Sequence, residues 1–315
     1  MTSTLRYALI GIAAVGGILL LAMPLVPYRV PLQKNSMHAA LFPVSDTASA
    51  SDTSDKLPSP QLAAGAAMVY DPLGNKILFE KNSDSVFGIA SITKIMTAIV
   101  ALERVGEHEL IPIRKEAVDV EGIEGGLYVG ERFPLHNLVL LMLITSSNDA
   151  AAALAEYIGT LYGANSFEES QHVFTVLMNE TARKLGLVNT HFENPTGLDI
   201  DEDARIISNV STPRELSQLI AHALGYPLIQ NIYSAPSVIT SLDGISHELV
   251  STHTLLENEA GIISGKTGFT DTAGGTLATV AEVPLGKLSI MVILDSTRQD
   301  RFQDTVRLLE WLRAQ

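Results

Sequence analysis

The sequence predicts an α+β fold in which one largely antiparallel sheet is closed by the first and last strands and covered on its faces by helices. Three observations point to it. Short apolar strand-like segments lie near residues 66–80 and again after residue 230, apolar residues at helical spacing fill the stretch between, and residues 301–312 carry a stripe suited to packing on a sheet. The chain has 315 residues, of which 46% are apolar, enough for a sizeable core, so disorder of the whole chain is excluded. Lys and Arg total 21 against 35 Asp and Glu, a formal charge of −14, which repels phosphate backbones and argues against a nucleic-acid partner. The absence of cysteine removes disulfides, thiolate nucleophiles and cysteine-ligated zinc.

Taken in order, residues 1–6 read as a short tail and residues 7–28 contain no charged side chain. At about 1.5 Å per residue, this segment would cross a hydrocarbon core of roughly 30 Å as a transmembrane helix. A cleaved signal peptide is the alternative, but such signals have apolar cores of about 7 to 15 residues followed at once by a small-residue site. The nearest such triplet here, Ala48-Ser49-Ala50, lies far downstream. Charge on the two flanks is balanced, so orientation is not legible from the positive-inside rule. Residues 29–61 read as a flexible linker, with Ser, Thr, Asp, Pro and Ala dominating 43–61. A globular domain is expected from residue 62 to 315 without a second linker or an internal repeat. It opens with strands over 66–70 and 76–80 around the turn Asp71-Pro72-Leu73-Gly74-Asn75. Helices follow from Ser91 to near Gly106, over 135–144, 149–158, 166–185 and 212–224, then β-rich segments over 275–281 and 287–294. The last helix, 301–312, carries Phe302, Val306, Leu308, Leu309 and Leu312. Its mixture of Asp, Glu and Arg favours packing on the sheet over lying on a membrane.

Three motifs carry chemistry. Ser91-Ile92-Thr93-Lys94 places an amine and a hydroxyl on one face at a helix start, where a lysine can act as base if its proton affinity is lowered. Ser146-Ser147-Asn148 lies between two apolar helices, where it either projects a hydroxyl and an amide into a cleft or caps the helix that follows. Lys266-Thr267-Gly268 supplies a cation, a hydroxyl and bare backbone in a β-rich region; a solvated lysine at a strand end is the plainer reading. Each pattern is weak alone. Together they occur once each, in this order, separated by 55 and 120 residues.

In this combination the chain resembles the penicillin-binding, active-site-serine acyltransferases, and among them the D-alanyl-D-alanine carboxypeptidases of the S11 peptidase family. The likeness extends over about 62–315, through residues 77–82, 190–199, 211–216 and 265–274. It implies a β-lactamase/transpeptidase-like αβα domain acting on peptidoglycan stem pentapeptides, with Ser91 as acyl nucleophile, Lys94 as its proton acceptor and Ser146 as a relay to the leaving amine. Asn148 would hold the substrate backbone, Lys266 would keep Lys94 partly neutral, and Thr267 would bind the terminal carboxylate. The backbone N–H groups of Ser91 and Phe269 would form the oxyanion hole, and Gly268 is counted with the substrate-binding residues. Arg301, with Arg298 as rival, would grip the carboxylate. The resemblance implies no cofactor, β-lactam antibiotics as inhibitors, and a bacterial membrane location, single-pass, with the catalytic domain outside the cytoplasm. Two departures are Ile89 where many members carry proline two residues before the serine, and Ser251-Thr252-His253 where many carry asparagines.

Rival readings are weaker. The segment from Gly261 to Thr267 has three residues between its glycines where a phosphate-binding loop needs four. Glu107-His108-Glu109 reads as a solvated turn, and no metal site is evident. A β-lactamase would need a dedicated deacylating glutamate, and no E-x-x-L-N-type segment lies between Ser146 and Lys266. A D,D-endopeptidase acting on cross-links shares all three motifs, and a membrane-tethered penicillin-binding sensor with slow turnover is the non-enzymatic alternative.

Overall fold

The computed structural model describes residues 58–122, 125–199, 207–232 and 236–315. The expected transmembrane helix at 7–28 and most of the linker lie outside the described residues. Among the described residues, no helix is long and apolar enough to cross a membrane.

The chain opens with the hairpin β1 (Ala66–Asp71) and β2 (Lys76–Lys81). Asp71 turns it by accepting the N–H groups of Leu73 and Gly74 at 3.0 and 2.8 Å, an Asx turn. The short strand β3 (Phe87–Gly88) leads into a 3₁₀ turn, Ala90–Thr93, and then α1 (Lys94–Arg104). The strands β4 (Leu110–Pro112) and β5 (Arg132–Pro134) pair across the small helix α2 (Lys115–Val118). A helical block follows: α3 (Leu135–Thr145), α4 (Asn148–Leu161) and α5 (Phe167–Lys184). Then come β6 (Val210–Ser211), which pairs with β3, then α6 (Pro213–Ala223), α7 (Pro227–Gln230) and the hairpin β7 (Val238–Thr240) with β8 (Ser246–Glu248). The long strands β9 (Ile262–Thr270), β10 (Gly274–Glu282) and β11 (Leu288–Ser296) and the helix α8 (Asp300–Arg313) complete the domain.

The main sheet has the order β2-β1-β11-β10-β9 and is antiparallel throughout, so first and last strands meet at β1 and β11. Alternate residues of the sheet belong to two cores. Met68, Val280, Ile290 and Val292 face the large core built by α1, α3, α4, α5 and α6. Val69, Leu277, Met291 and Ile293 face the smaller one closed by Leu308, Leu309 and Leu312 of α8. Burial on both faces explains why β11 reads as a continuous apolar run instead of an alternating one. The expected α+β layering with an antiparallel sheet is therefore observed. The nucleophile region differs in detail: Ser91 sits in the 3₁₀ turn and α1 begins only at Lys94, because Ala90 before it takes a left-handed φ of 45°. Residues 107–109 form an exposed turn, and the run from Gly261 to Thr267 is largely strand β9, not a phosphate loop.

Candidate active site

A cleft of about 500 Å³ opens between the sheet edge and the helical block, lined by Ser91, Ser146, Asn148, Thr267, Gly268, Phe269 and Arg301 among others. The three motifs thus meet although they are far apart in sequence. Ser91 is presented on a strained backbone, since a non-glycine residue at positive φ such as Ala90 costs of order 1–3 kcal/mol and must be held by its surroundings. Two glycines do the holding. Gly197 has φ +84°, and an ideal Cβ there would lie 2.1 Å from the Ala90 carbonyl oxygen. A Cβ on Gly268 would lie 2.8 Å from the Ser91 backbone nitrogen, so glycine is what lets strand β9 run directly past the nucleophile.

Lys94 is fully buried, and its Nζ has three neighbours: the Thr196 carbonyl oxygen at 2.6 Å, Asn148 Oδ1 at 2.7 Å and Ser91 Oγ at 2.9 Å. Burial pushes its pKa down to about 7, against an opposing pull from Asp149. A neutral amine has two N–H bonds and one lone pair. The two carbonyl oxygens take the N–H bonds, which leaves the lone pair for the Ser91 O–H. This is the arrangement a general base requires. Lys266 is also buried and donates to Ser146 Oγ at 2.7 Å and to the Thr267 carbonyl at 2.8 Å. Its pKa is lowered well below the ordinary lysine value by burial first and then by repulsion from Lys94. The sequence reading has Lys266 contribute to keeping Lys94 partly neutral. Burial is the largest cause of the lowered pKa at both lysines, and the charge on Lys94 lowers that of Lys266 further.

The middle motif divides its labour. Ser147 caps α4 by accepting the N–H of Ala150 at 2.9 Å, while Ser146, in a left-handed conformation with φ 67°, faces the cleft. Capping and cleft readings both hold, on adjacent residues. Asn148 is engaged at both ends of its amide, by Lys94 and by the Glu121 carbonyl at 3.0 Å. In this structure it holds the base, and a substrate backbone would have to share it. Thr267 Oγ1 pairs with Thr252 Oγ1 at 2.6 Å, which places one of the departing Ser251-Thr252-His253 residues in the cleft. His253 is buried behind it, bonded through Nε2 to Thr279 Oγ1 at 2.9 Å and held neutral, its pKa pushed down to about 4 by burial and by Arg301 and Lys266. Arg301 is 7% exposed and donates from Nη1 to the Gly268 carbonyl; burial, then Arg298, lowers its pKa to about 10. Arg298 stacks on the Phe269 ring at 3.9 Å. Both arginines line the cleft, but only Arg301 is buried against the Lys266-Thr267-Gly268 strand.

Sequence reasoning missed three contributors. Thr196 acts through its main-chain carbonyl, which leaves no side-chain signature; the Asn194 side chain shapes that turn by accepting the N–H groups of Thr196 and Gly197 at 3.1 and 2.7 Å. Thr252 sits where asparagine was expected. Asp149, at the first turn of α4, had been legible only as a helix-start residue.

Residues 52–297 match the family described as D-alanyl-D-alanine carboxypeptidase. The chain is 32% identical over 257 residues to a D-alanyl-D-alanine endopeptidase of Pseudomonas aeruginosa, covering 80% of this chain and 78% of that protein. It is 30% identical over 274 residues to a D-alanyl-D-alanine endopeptidase of Escherichia coli, covering 85% of this chain and 82% of that protein. Among solved structures, the Streptomyces K15 DD-transpeptidase superposes with a TM-score of 0.74 at 25% identity, covering 82% of this chain and all of that one.

Proposed function

The chain belongs to the D-alanyl-D-alanine carboxypeptidase family of serine peptidases, and from that premise we propose that it removes the terminal D-alanine from peptidoglycan stem pentapeptides through an acyl-enzyme on Ser91. The observation that carries this is the buried Lys94 amine, with both N–H bonds engaged and its lone pair available to the Ser91 hydroxyl. Ser91 Oγ bonds to the carbonyl carbon of the penultimate D-alanine while its proton passes to Lys94 Nζ. The backbone N–H groups of Ser91 and Phe269 stabilise the oxyanion, which develops only in the tetrahedral state. When that state collapses, the amine of the terminal D-alanine leaves with a proton delivered through Ser146, which hydrogen-bonds to Lys266. Water then adds to the ester, the acid departs and Ser91 regains its proton. Thr267 and Arg301 hold the carboxylate of the leaving residue, Arg301 because it is a buried cation at the cleft with no carboxylate partner among the described residues. β-Lactams would acylate the same serine. The substrate lies outside the cytoplasm, so the N-terminal apolar segment is read as a single-pass anchor in the bacterial membrane with residues 62–315 on the outer side.

A second reading, D,D-endopeptidase action on cross-links, is favoured by the names of the two relatives that share at least 30% identity over most of their length. A cross-link whose acceptor carries a carboxylate beside the scissile bond would be held by the same residues. Incubating the full-length protein with a purified pentapeptide muropeptide and with cross-linked dimers, and following products by mass spectrometry, separates the two reactions. Loss of one D-alanine by wild type and not by Ser91→Ala supports the carboxypeptidase. Dimer cleavage without D-alanine release supports the endopeptidase, and neither product from a folded protein that still binds labelled penicillin would support a sensor.

A further inference from the structure

The turn Ser251-Thr252-His253, a departure from the family pattern, takes no part in the steps above, yet the fold wedges it against the cleft. Its main chain is fixed to the end of α3, where the Thr252 N–H donates to the Ile144 carbonyl at 3.2 Å. It is also folded on itself, the His253 N–H donating to Ser251 Oγ at 3.1 Å. The His253 ring seals the other side: it is buried, bonded to Thr279 Oγ1 on β10 at 2.9 Å and set against Phe302 of α8 with ring centroids 6.1 Å apart. Glycine at position 265 makes room for that ring, since an ideal Cβ there would lie 2.7 Å from His253 Cδ2. Held by its main chain on one side and by the neighbouring ring on the other, Thr252 delivers its hydroxyl to the cleft, 2.6 Å from Thr267 Oγ1. Either hydroxyl can be the donor across that contact, but each has only one proton. A carboxylate only accepts, so Thr267 can donate to one only when its own oxygen accepts from Thr252. In the reverse order the Thr267 proton is engaged by Thr252, and the lone pairs of Thr267 would face those of the carboxylate.

We propose that Thr252 is a positioning residue of carboxylate recognition: its hydroxyl donates to Thr267 Oγ1 and so turns the Thr267 proton toward the carboxylate beside the scissile bond. The two threonines form one relay of fixed direction. Beside them stands the buried Arg301, whose Nε has no hydrogen-bond partner among the described residues. Hydrogen bonds to a charged acceptor are stronger than those to a neutral one, so the direction of this single proton is felt as selectivity for an acid over its uncharged ester. The proposal rests on reading Thr267 as a carboxylate ligand, and its test reads that premise separately.

The test compares the second-order rate of acylation by a penicillin carrying its free carboxylate with that by its methyl ester. Both are followed on the full-length protein by mass spectrometry of the acyl-enzyme, with thermal unfolding as a control for folding. In a penicillin the carboxylate sits on the carbon bonded to the lactam nitrogen, as it does on a leaving D-alanine, and neither rate depends on whether the natural substrate is a pentapeptide or a cross-link. Wild type should prefer the acid, and Thr267→Val should lower that preference about ten-fold. An unchanged preference in Thr267→Val would overturn the premise and the proposal with it. Thr252→Val, which keeps the shape and removes the hydroxyl, should lower the preference by a similar factor, and Thr252→Ser, which returns the hydroxyl, should restore most of it. Thr252→Val combined with Thr267→Val should show no further loss, as for two groups acting in series. A merely structural Thr252 would lower both rates together and leave their ratio at the wild-type value; with the Thr267→Val ratio lowered, that result overturns the proposal alone. A further loss in the double variant would mean that Thr252 touches the carboxylate itself, which overturns a role through Thr267. If Thr252→Val does not fold, Thr252→Ala set against Thr252→Ser makes the same comparison.

Discussion

Asp304 on α8 and Lys94 on α1 are both fully buried, yet the molecule treats the two charges on opposite terms. Asp304 accepts the N–H groups of Ala63 and Ala64 at 3.1 and 2.8 Å and a guanidinium N–H of Arg307 at 2.6 Å, so its burial ties the entry of the domain to its last helix. Lys94 has only carbonyl and hydroxyl oxygens around it, and no carboxylate within 4 Å among the described residues. A charge buried for structure is neutralised where it sits. A charge buried for chemistry is left uncompensated, so that losing its proton becomes easy. The strained Ala90 and the left-handed Ser146 lie on the same side of the contrast, whereas the α8 face is packed by Leu308, Leu309 and Leu312 with ordinary geometry.

The contrast can be broken most sharply at the nucleophile. Ser91→Ala should abolish acylation, since no hydroxyl remains to form the ester, with thermal unfolding close to wild type; a labelled penicillin followed on a gel reads the first and circular dichroism the second. Lys94→Ala should lose roughly a hundred- to ten-thousand-fold as a missing general base, and near-normal turnover by this variant would end its assignment. Wild-type acylation itself should rise as pH passes about 7, because the active form of Lys94 is the neutral one and burial holds its pKa there. On the other side, Asp304→Ala should cost about 1–3 kcal/mol through the backbone N–H groups it leaves unpaired. A lower urea midpoint with an unchanged acylation rate per folded molecule is the expected pattern. The smallest effect should come from Arg298→Ala: its stacking on Phe269 is exposed and worth about 0.5–1 kcal/mol, so muropeptide KM should change only a few-fold while kcat holds.

Legibility follows the same division. The β1–β2 hairpin, the five long helices of the middle and the α8 stripe could be read from the sequence because each rests on local periodicity or a local turn. The pairs β3–β6 and β4–β5 could not be read, since their partners lie far apart along the chain, whereas closure of the sheet by its first and last strands was expected and only the register of β1 on β11 was not. In the site, Ser91, Lys94, Ser146 and Lys266 were visible as motifs, and the fold brings them to one cleft. Thr196 was not, because it contributes a carbonyl that any residue possesses. Asp149 was masked by its place at a helix start, where an acidic residue is ordinary. Asn148 was visible too, but not that its amide is engaged at both ends, by Lys94 and by the Glu121 carbonyl.

The claim at the centre of this account is that Lys94 is a low-affinity proton acceptor at rest, before substrate arrives. Protein carrying isotope-labelled lysine side chains, titrated by NMR with Lys94→Met to assign the resonance, measures it directly. A Lys94 amine midpoint near 7 is the expected result. A midpoint in the ordinary lysine range near 10 would mean that the buried amine beside Ser91 is an ammonium ion, and it would contradict the mechanism.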